Sequence, residues 1–201
     1  MQKKFTMKKL LFNFFKKILL HIYPKPRGLR IYGSSSLVMM PRRIKGAGYV
    51  RVGQDVIVQP FGWIAAFDRW GSTCYSPTIE IGDHVRIGRH VVITAVDRIY
   101  IGDGCLFSEQ VFVSDHTHQA LPSVIPPAHQ PLILTGPVYI GRHCFIGIRV
   151  CIMGGVTLGD YCVVGANSVV TRSFPAGSVI AGTPARLLQT LPIDKFILDT
   201  N

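Results

Sequence analysis

A six-residue repeat in the C-terminal half of the chain constrains the fold more than any other feature. From residue 140, six consecutive hexads read IGRHCF, IGIRVC, IMGGVT, LGDYCV, VGANSV and VTRSFP. An aliphatic residue opens each of the six, Gly follows in four, and the fifth position is small in five. Earlier copies begin at Val52, Ile81, Ile87, Ile101 and Phe107. Six hexads in one register are not expected from a β-sandwich with coincidental spacing.

The length of the repeat has a direct structural meaning. A short strand and a tight turn together occupy about six residues, and successive strand side chains point to opposite faces. If the aliphatic and small positions point inward, each hexad forms one side of a triangular prism, and three hexads form a coil. Successive coils then pair as parallel strands and stabilise one another. Gly at the second position predicts a turn that requires a positive φ.

The basic charge of the chain is concentrated at its N-terminus. The 201 residues predict one domain with room for an appendage. Residues 1–51 hold 13 of the 22 Lys and Arg and no acid, since the first acid is Asp55. The remainder holds nine basic and eleven acidic residues. A near-neutral body with a basic arm argues against a nucleic-acid-binding protein, whose recognition domain would itself be basic.

Residues 1–27 form the predicted arm. Apolar residues recur at helical spacing from Met7 to Ile22 and lysines cluster mostly opposite, which predicts a basic amphipathic helix ending near Pro24. A transmembrane helix needs about twenty uninterrupted apolar residues, and Lys16 and Lys17 interrupt this stretch. Two interpretations are open: the helix packs on protein, or it lies on an anionic membrane surface. The expected location is the cytoplasm, at the inner face of the membrane under the second interpretation.

Three stretches resemble the hexapeptide-repeat acyltransferases, and among them the bacterial sugar and polysaccharide O-acetyltransferases. The stretches are residues 114–118 (SDHTH), residues 136–141 (GPVYIG), and residues 164–171 (VGANSVVT) together with 181–186 (AGTPAR). The resemblance covers roughly residues 50–190. It implies an all-β, left-handed parallel β-helix over 28–190, with a loop excursion at 119–139 and a C-terminal tail at 191–201. It also implies a homotrimer that moves an acetyl group from acetyl-CoA to a hydroxyl of a sugar or glycolipid.

The largest interruption of the repeat predicts the catalytic residues. His116 and His118 stand where the chain leaves the hexad register, and histidine is the usual general base near neutral pH. The resemblance implies His116 as the base, with His118 as the second choice. Alternate strand residues share a face, so both rings can line one cleft. Asp115 is the candidate that orients the base, although a backbone carbonyl would serve equally well.

The cysteines give little support for an acyl-cysteine intermediate. Five cysteines without a CxxC spacing predict buried thiols rather than disulfides or a zinc site. Cys105, Cys144 and Cys162 fall on the inward small position of their hexads. Direct attack by the acceptor hydroxyl is therefore the predicted reaction.

The resemblance implies that the donor lies along the C-terminal coils. The residues that match the family's donor track are Gly147, Ile148, Ala166 and Thr171, and those that match its phosphate region are Arg172 and Arg186. The planar guanidinium suits phosphate because it donates two hydrogen bonds at once. For Arg172 a solvated surface charge is an equally good interpretation.

A second break, at residues 61–75, contributes candidates for acceptor binding. Its aromatic side chains offer flat faces for a sugar, or else cap the open end of the prism. The predicted substrate-binding residues are Trp63, Asp68, Asp97 and His129. Asp97 takes an inward small position in the hexad register, which must therefore deform there. Two other functions stay open: a metal-dependent β-helix of the γ-carbonic-anhydrase type, which needs a third histidine ligand, and a non-catalytic membrane-associated scaffold.

Overall fold

The computed structural model describes residues 18–19, 21–23, 25–119, 122 and 124–193. Residues 18, 19, 21 and 22 are helical, and the Tyr23 amide donates to the Leu19 carbonyl at 2.8 Å. The rest of the predicted arm before residue 25, and residues 194–201 of the predicted tail, lie outside the described residues. Among the described residues no helix is long and apolar enough to cross a membrane.

The chain winds from Ile31 into six successive coils of three strands each. In chain order the strands are β1 (Ile31–Tyr32), β2 (Leu37–Val38), β3 (Arg43–Lys45), β4 (Val50–Val52), β5 (Ile57–Val58), β6 (Trp63–Ala66), β7 (Arg69–Trp70), β8 (Thr73–Cys74), β9 (Thr78–Ile81), β10 (Arg86–Ile87), β11 (Val92–Ala95), β12 (Arg98–Ile101), β13 (Leu106–Phe107), β14 (Phe112–Ser114), β15 (His116–His118), β16 (Leu132–Leu134), β17 (Val138–Ile140), β18 (Phe145–Ile146), β19 (Cys151–Ile152), β20 (Thr157–Leu158), β21 (Val163–Val164), β22 (Val169–Val170), β23 (Ser178–Gly182) and β24 (Ala185–Thr190). Short 3₁₀ helices occupy Ala47–Tyr49 and Pro127–His129.

Three parallel sheets form the sides of the prism. Face A pairs β1, β4, β9, β12, β17 and β20 in that order. Face B pairs β2, β5, β10, β13, β18 and β21, then continues through β23 to the antiparallel β24. Face C pairs β3, β6, β11, β14, β19 and β22. This architecture is the all-β, left-handed parallel β-helix expected from the hexads and the family resemblance.

The interior of the prism is filled as the hexad pattern predicts. The opening aliphatic residues Ile140, Ile146 and Ile152 are 0% exposed, and so are the fifth-position residues Val150 and Val156. Burying one such aliphatic side chain stabilises the fold by about 1.5–3 kcal/mol. Each coil presents the same set of side chains to the next, so the core is one continuous apolar column.

The predicted reason for the second-position glycines is wrong. The positive φ values fall on the fourth position of the hexads, for example on His84, His90 and His143, at 58°, 56° and 56°. The second-position glycines are needed because stacked backbones approach closely there. A Cβ on Gly102 would lie 2.8 Å from the Arg142 nitrogen, and one on Gly147 would lie 2.7 Å from the Ala166 nitrogen.

Two excursions leave face C and pack against each other outside the prism. The first excursion (residues 67–77) comes after β6 and contains the β7–β8 hairpin, and the second (residues 115–137) comes after β14 and contains the β15–β16 hairpin. The Tyr75 hydroxyl accepts a hydrogen bond from the Leu132 amide at 2.9 Å and donates one to the Leu132 carbonyl at 3.1 Å. A second apolar cluster, which includes Phe67, fills the space between them. Both interruptions of the repeat therefore cover the same face.

Candidate active site

A buried carboxylate and an imidazole stand at the start of the second excursion. Asp115 is fully buried, and its Oδ1 lies 2.8 Å from Nδ1 of His116. The same carboxylate accepts hydrogen bonds from the backbone amides of Val96 at 2.9 Å and Asp97 at 2.8 Å, both in the corner between β11 and β12. Backbone donors aimed at a buried carboxylate replace the water it has lost.

This pairing determines which nitrogen of His116 is free. The carboxylate only accepts hydrogen bonds, so the neutral ring carries its proton on Nδ1 and leaves Nε2 as an acceptor. The side chain is 9% exposed, and the Ser114 hydroxyl donates to the His116 backbone carbonyl at 2.8 Å. An imidazole held in one tautomer by a carboxylate is the arrangement of a general base.

His116 opens into a cavity of about 270 Å³ on the outer surface of face C. Its floor is a row of outward side chains from adjacent strands, Trp63, Val92 and Phe112, which are paired in register. The other lining residues are Phe67, Trp70, Thr94, Ser114, His116, Thr117, His118, Leu132 and Met153. The volume lies near the lower end of the range for small-molecule sites, about 300–1,000 Å³.

His116 and His118 line the same cavity, as their alternation in β15 predicts. The edge of the His116 ring faces Phe67, with ring centroids 6.1 Å apart. His118 makes a similar contact with Trp70 at 5.1 Å and is more exposed to solvent. Two aromatic residues of the first excursion, Phe67 and Trp70, thus contact both rings.

The predicted acceptor residues fall into different environments. Trp63 lines the cavity, and its buried Nε1 has no hydrogen-bond partner among the described residues. Asp68 is exposed on the first excursion and accepts a hydrogen bond from the Tyr49 hydroxyl at 3.2 Å, which raises the pKa of Tyr49. His129 is exposed in the second 3₁₀ helix. Neither Asp68 nor His129 lines the cavity.

Asp97 contributes its backbone rather than its side chain to the His116 site. Its amide binds Asp115, and the residue also lines a separate cavity of about 440 Å³ together with Tyr75 and Leu134. The hexad register deforms at Asp97 as predicted, since the residue is half-exposed and its neighbour Val96 is buried. The anchoring role of these two amides has no sequence signal, because every residue except proline carries an N–H.

The predicted donor residues lie on the last two coils. Gly147 is buried under Ala166 at the corner between faces B and C, where Ile148 and Ala166 are exposed. The turn before Arg186 reaches the same corner, since the Thr183 hydroxyl donates to the Asn167 carbonyl at 3.2 Å.

Thr171 and Arg172 lie at the end of face C. Thr171 comes directly after β22, and the cavity residue Met153 comes directly after β19 on the coil above it. The Arg172 guanidinium lies over the Phe174 ring at 5.1 Å. Across the described part of the chain, neither Arg172 nor Arg186 forms an ion pair.

The thiols predicted to face inward form a buried column away from the cavity. Cys105, Cys144 and Cys162 donate to backbone carbonyls of the following coil at 3.1, 3.3 and 3.2 Å. Hydrogen bonds with Cys105 and Cys162 raise the pKa of the Cys144 thiol. None of the three lines the cavity. The described residues also contain no group of three or more His, Cys, Asp and Glu side chains placed to bind a metal.

Comparisons with known proteins agree with this fold. Residues 137–172 match the family model for the hexapeptide repeat of succinyl-transferase. The chain is 28% identical to a putative lipopolysaccharide biosynthesis O-acetyl transferase of Escherichia coli, over 79% of this chain and 80% of that protein. It is 35% identical to the galactoside O-acetyltransferase of the same organism, over 71% of this chain and 64% of that protein.

Solved structures share the architecture at lower identity. An N-acyltransferase from Bacillus cereus, solved with dTDP and coenzyme A, superposes with a TM-score of 0.70 at 20% identity. The match covers 86% of this chain and 90% of that one. A second structure, from Caulobacter crescentus in complex with CoA and GDP-perosamine, gives a TM-score of 0.55 at 20% identity, over 77% of this chain and 57% of that one.

Proposed function

This chain is a hexapeptide-repeat protein similar to bacterial sugar O-acetyltransferases, and we propose that it transfers an acetyl group from acetyl-CoA to a hydroxyl of a sugar or glycolipid intermediate. The observation that carries the proposal is the Asp115–His116 pair, 2.8 Å apart, at the wall of a cavity outside the prism. The similarity to two O-acetyltransferases of Escherichia coli supports the reaction class. The complexes with CoA support the donor.

His116 acts as the general base. As the acceptor hydroxyl oxygen attacks the thioester carbon, Nε2 takes its proton, and Asp115 stabilises the imidazolium through Nδ1. The C–S bond of the thioester then breaks, and the departing sulfur receives the proton from Nε2. The aromatic floor of the cavity, with Trp63 beside Phe112, suits the apolar face of a sugar ring.

The donor is held by the last two coils. The exposed corner at Ile148 and Ala166 offers backbone groups along the prism, and Arg172 and Arg186 offer guanidinium groups to the nucleotide phosphates. Thr171 continues the row of face C residues from Met153 toward that end. These residues fit an extended, phosphorylated donor such as acetyl-CoA better than they fit free acetate, which has no phosphate groups for two separated cations to bind.

We also propose a homotrimer with active sites between subunits. Face B carries an outward apolar stripe in which Leu106 and Phe145 are 47% and 39% exposed. In register with them lie Ile57, Arg86, Val163 and Val179, of which only Arg86 is charged. A contiguous exposed apolar surface of this kind favours contact with another protein surface. A second copy of this prism presents a flat, matching one.

The N-terminal arm is proposed to hold the enzyme at the inner face of the membrane. The described helical residues Ile18 and Ile22 are 40% and 59% exposed, and no acidic residue precedes Asp55. Deletion of residues 1–22 should abolish sedimentation with anionic liposomes and leave transfer to soluble acceptors intact. Unchanged sedimentation would assign the arm to protein contact instead.

A thiol-release assay tests the proposed function. The purified chain is mixed with acetyl-CoA and a panel of free sugars, nucleotide sugars and lipid-linked sugars. We expect acceptor-dependent release of CoA and acetylation of the acceptor on oxygen. Release that no acceptor stimulates would contradict the proposed function.

A further inference from the structure

Two basic side chains project from the first coil onto the face that carries the cavity. Arg43 and Lys45 flank Ile44 in β3, and Ile44 packs against the core of the prism. Since strand side chains alternate, Arg43 and Lys45 point to the outside of face C. In register, Arg43 is paired with the cavity residue Trp63, and Lys45 is paired with Ala65.

Lys45 is linked to the catalytic base through one aromatic ring. Its Nζ lies 4.4 Å from the centroid of Phe67, and the Phe67 ring also contacts the His116 ring, with centroids 6.1 Å apart. A cation over an aromatic face is held in position but keeps its charge. The ammonium is therefore held against Phe67, which lines the cavity, although Lys45 itself is not a lining residue.

No carboxylate of the described residues lies within ion-pair distance of Arg43 or Lys45. The first coil itself contains no acid. Asp68, the acid next to Phe67, is bonded to the Tyr49 hydroxyl. Trp63 adds an indole N–H without a partner. Apart from the exposed carboxylate of Asp68, the groups at this end of face C are donors and cations, which fit a ligand group that only accepts hydrogen bonds.

We propose that Arg43 and Lys45 bind a phosphate or diphosphate ester carried by the sugar acceptor. The inference rests on the proposed function and adds the charge class of the acceptor to it. Donor phosphates are assigned to Arg172 and Arg186 on the last coil and the hairpin after it, so the two anionic groups lie at opposite ends of the prism. A guanidinium and an ammonium together match the several acceptor oxygens of a phosphate. The Lys45 ammonium lies 4.4 Å and the His116 ring 6.1 Å from the Phe67 centroid, so the two groups are separated by no more than the sum of these distances, which a hexose phosphate can span.

The test compares acceptors that share one sugar and differ in charge. Rates of CoA release are measured with the methyl glycoside, the sugar 1-phosphate, the nucleoside diphosphate sugar and the polyprenyl diphosphate sugar. We expect kcat/KM to be at least about tenfold higher for the three anionic forms. The preferred form among the three identifies the group attached beyond the phosphate, a nucleoside or a lipid.

Two variants assign the effect to the basic pair. Arg43→Gln and Lys45→Gln should each lower kcat/KM for the anionic acceptors by about 10- to 100-fold. The same variants should leave kcat/KM for the methyl glycoside and the KM for acetyl-CoA unchanged. Arg98→Gln is the matched control, because Arg98 is an exposed strand residue on face A. Thermal unfolding of each variant checks that the fold is intact.

Inorganic pyrophosphate gives a readout that does not depend on turnover of a particular acceptor. It should inhibit the wild type competitively against the anionic acceptor, and the two Gln variants should lose this inhibition. Equal kcat/KM of the wild type for neutral and anionic acceptors would overturn the proposal. So would Gln variants in which kcat/KM falls by the same factor for neutral and for anionic acceptors. So would variants that keep acceptor discrimination but no longer sediment with anionic vesicles, a result that would assign the pair to a lipid surface. Transfer without charge preference defeats only this inference, whereas the absence of acceptor-dependent release defeats the proposed function too.

Discussion

The fourth and fifth coils share one scaffold and differ in the segment that leaves the end of their face C strand. Phe112 and Val113 of β14 pair in register with Cys151 and Ile152 of β19, and Val113 and Ile152 are both 0% exposed. After Ile152 the chain turns directly into the next hexad, whereas after Ser114 it leaves the prism for 23 residues, 115–137. The core of the two coils is the same, so an insertion at this corner adds a site without changing the scaffold.

The difference shows how a charged pair is accommodated beside an apolar column. The carboxylate of Asp115 lies outside the prism, where it accepts the free amides of the adjacent corner at Val96 and Asp97. In the fifth coil the corresponding corner, residues 153–156, is only a turn that leads directly into β20. The interior therefore supplies stability, and the interruption supplies the polar groups that chemistry needs. Four predictions test this division.

The largest expected effect comes from replacing His116, the proposed general base. His116→Ala should lower acetyl transfer by about 10²–10⁴-fold, because no other group would take the hydroxyl proton. The melting temperature should stay close to that of the wild type, since the ring lies outside the core. His90→Asn is the matched control, because His90 is an exposed turn residue whose φ of 56° asparagine also adopts. Normal turnover by His116→Ala would move the base to His118 or elsewhere.

Asp115→Asn should have the next largest effect on transfer. An amide at this position offers Nδ1 of His116 a neutral acceptor or a donor, so the correct tautomer is no longer enforced and kcat should fall by about 10²-fold or more. The KM for acetyl-CoA should not change, because the donor residues are on later coils. A kcat within a few-fold of wild type would show that a backbone group, rather than this carboxylate, orients the imidazole.

A cavity in an uninterrupted coil should affect stability and spare the chemistry. Leu158 is 1% exposed in the sixth coil, and Leu158→Ala should lower the free energy of unfolding by about 2–5 kcal/mol. Denaturant unfolding gives the stability, and kcat per folded molecule should match that of the wild type. A large loss of kcat at an unchanged unfolding midpoint would break the division between scaffold and site.

Tyr75→Phe should give the smallest effect and should be confined to the acceptor side. It removes the two hydrogen bonds that join the excursions at Leu132, each worth about 0.5–1.5 kcal/mol. We expect the KM for the acceptor to rise several-fold while the KM for acetyl-CoA stays constant. Equal changes in both constants would mean that the two excursions also shape the donor site.

The sequence predicts the coils well because the aliphatic and small residues of each hexad indicate which of its positions are buried. Ile140 to Leu158 open their hexads at fixed spacing, and all of these opening residues are buried. The first coil is harder to detect, because its opening positions are Tyr32, Val38 and Ile44 and only the first of them is followed by Gly. The interruption after Val113 places His116 at the edge of a cavity, because an insertion has no room inside the prism.

Other parts of the site depend on contacts that spacing along the chain does not encode. Two breaks in the register are visible, but their contact through Tyr75 and Leu132 results from the order of strands on face C. The anchors of Asp115 are backbone amides, which carry no side-chain signature. Asp97 is an example: its side chain is the predicted substrate-binding group, whereas the structure shows that its backbone amide binds Asp115.

The most direct test of the assigned active site is a crystal structure of the wild-type chain with coenzyme A and an acceptor that the thiol-release assay identifies. We expect an acceptor hydroxyl oxygen about 2.6–3.2 Å from Nε2 of His116, with the sugar on the floor formed by Trp63 and Phe112. Coenzyme A should lie along the last two coils and bring its sulfur to the same hydroxyl. An acceptor bound outside this cavity, with His116 distant from every hydroxyl, would contradict the assignment of the active site.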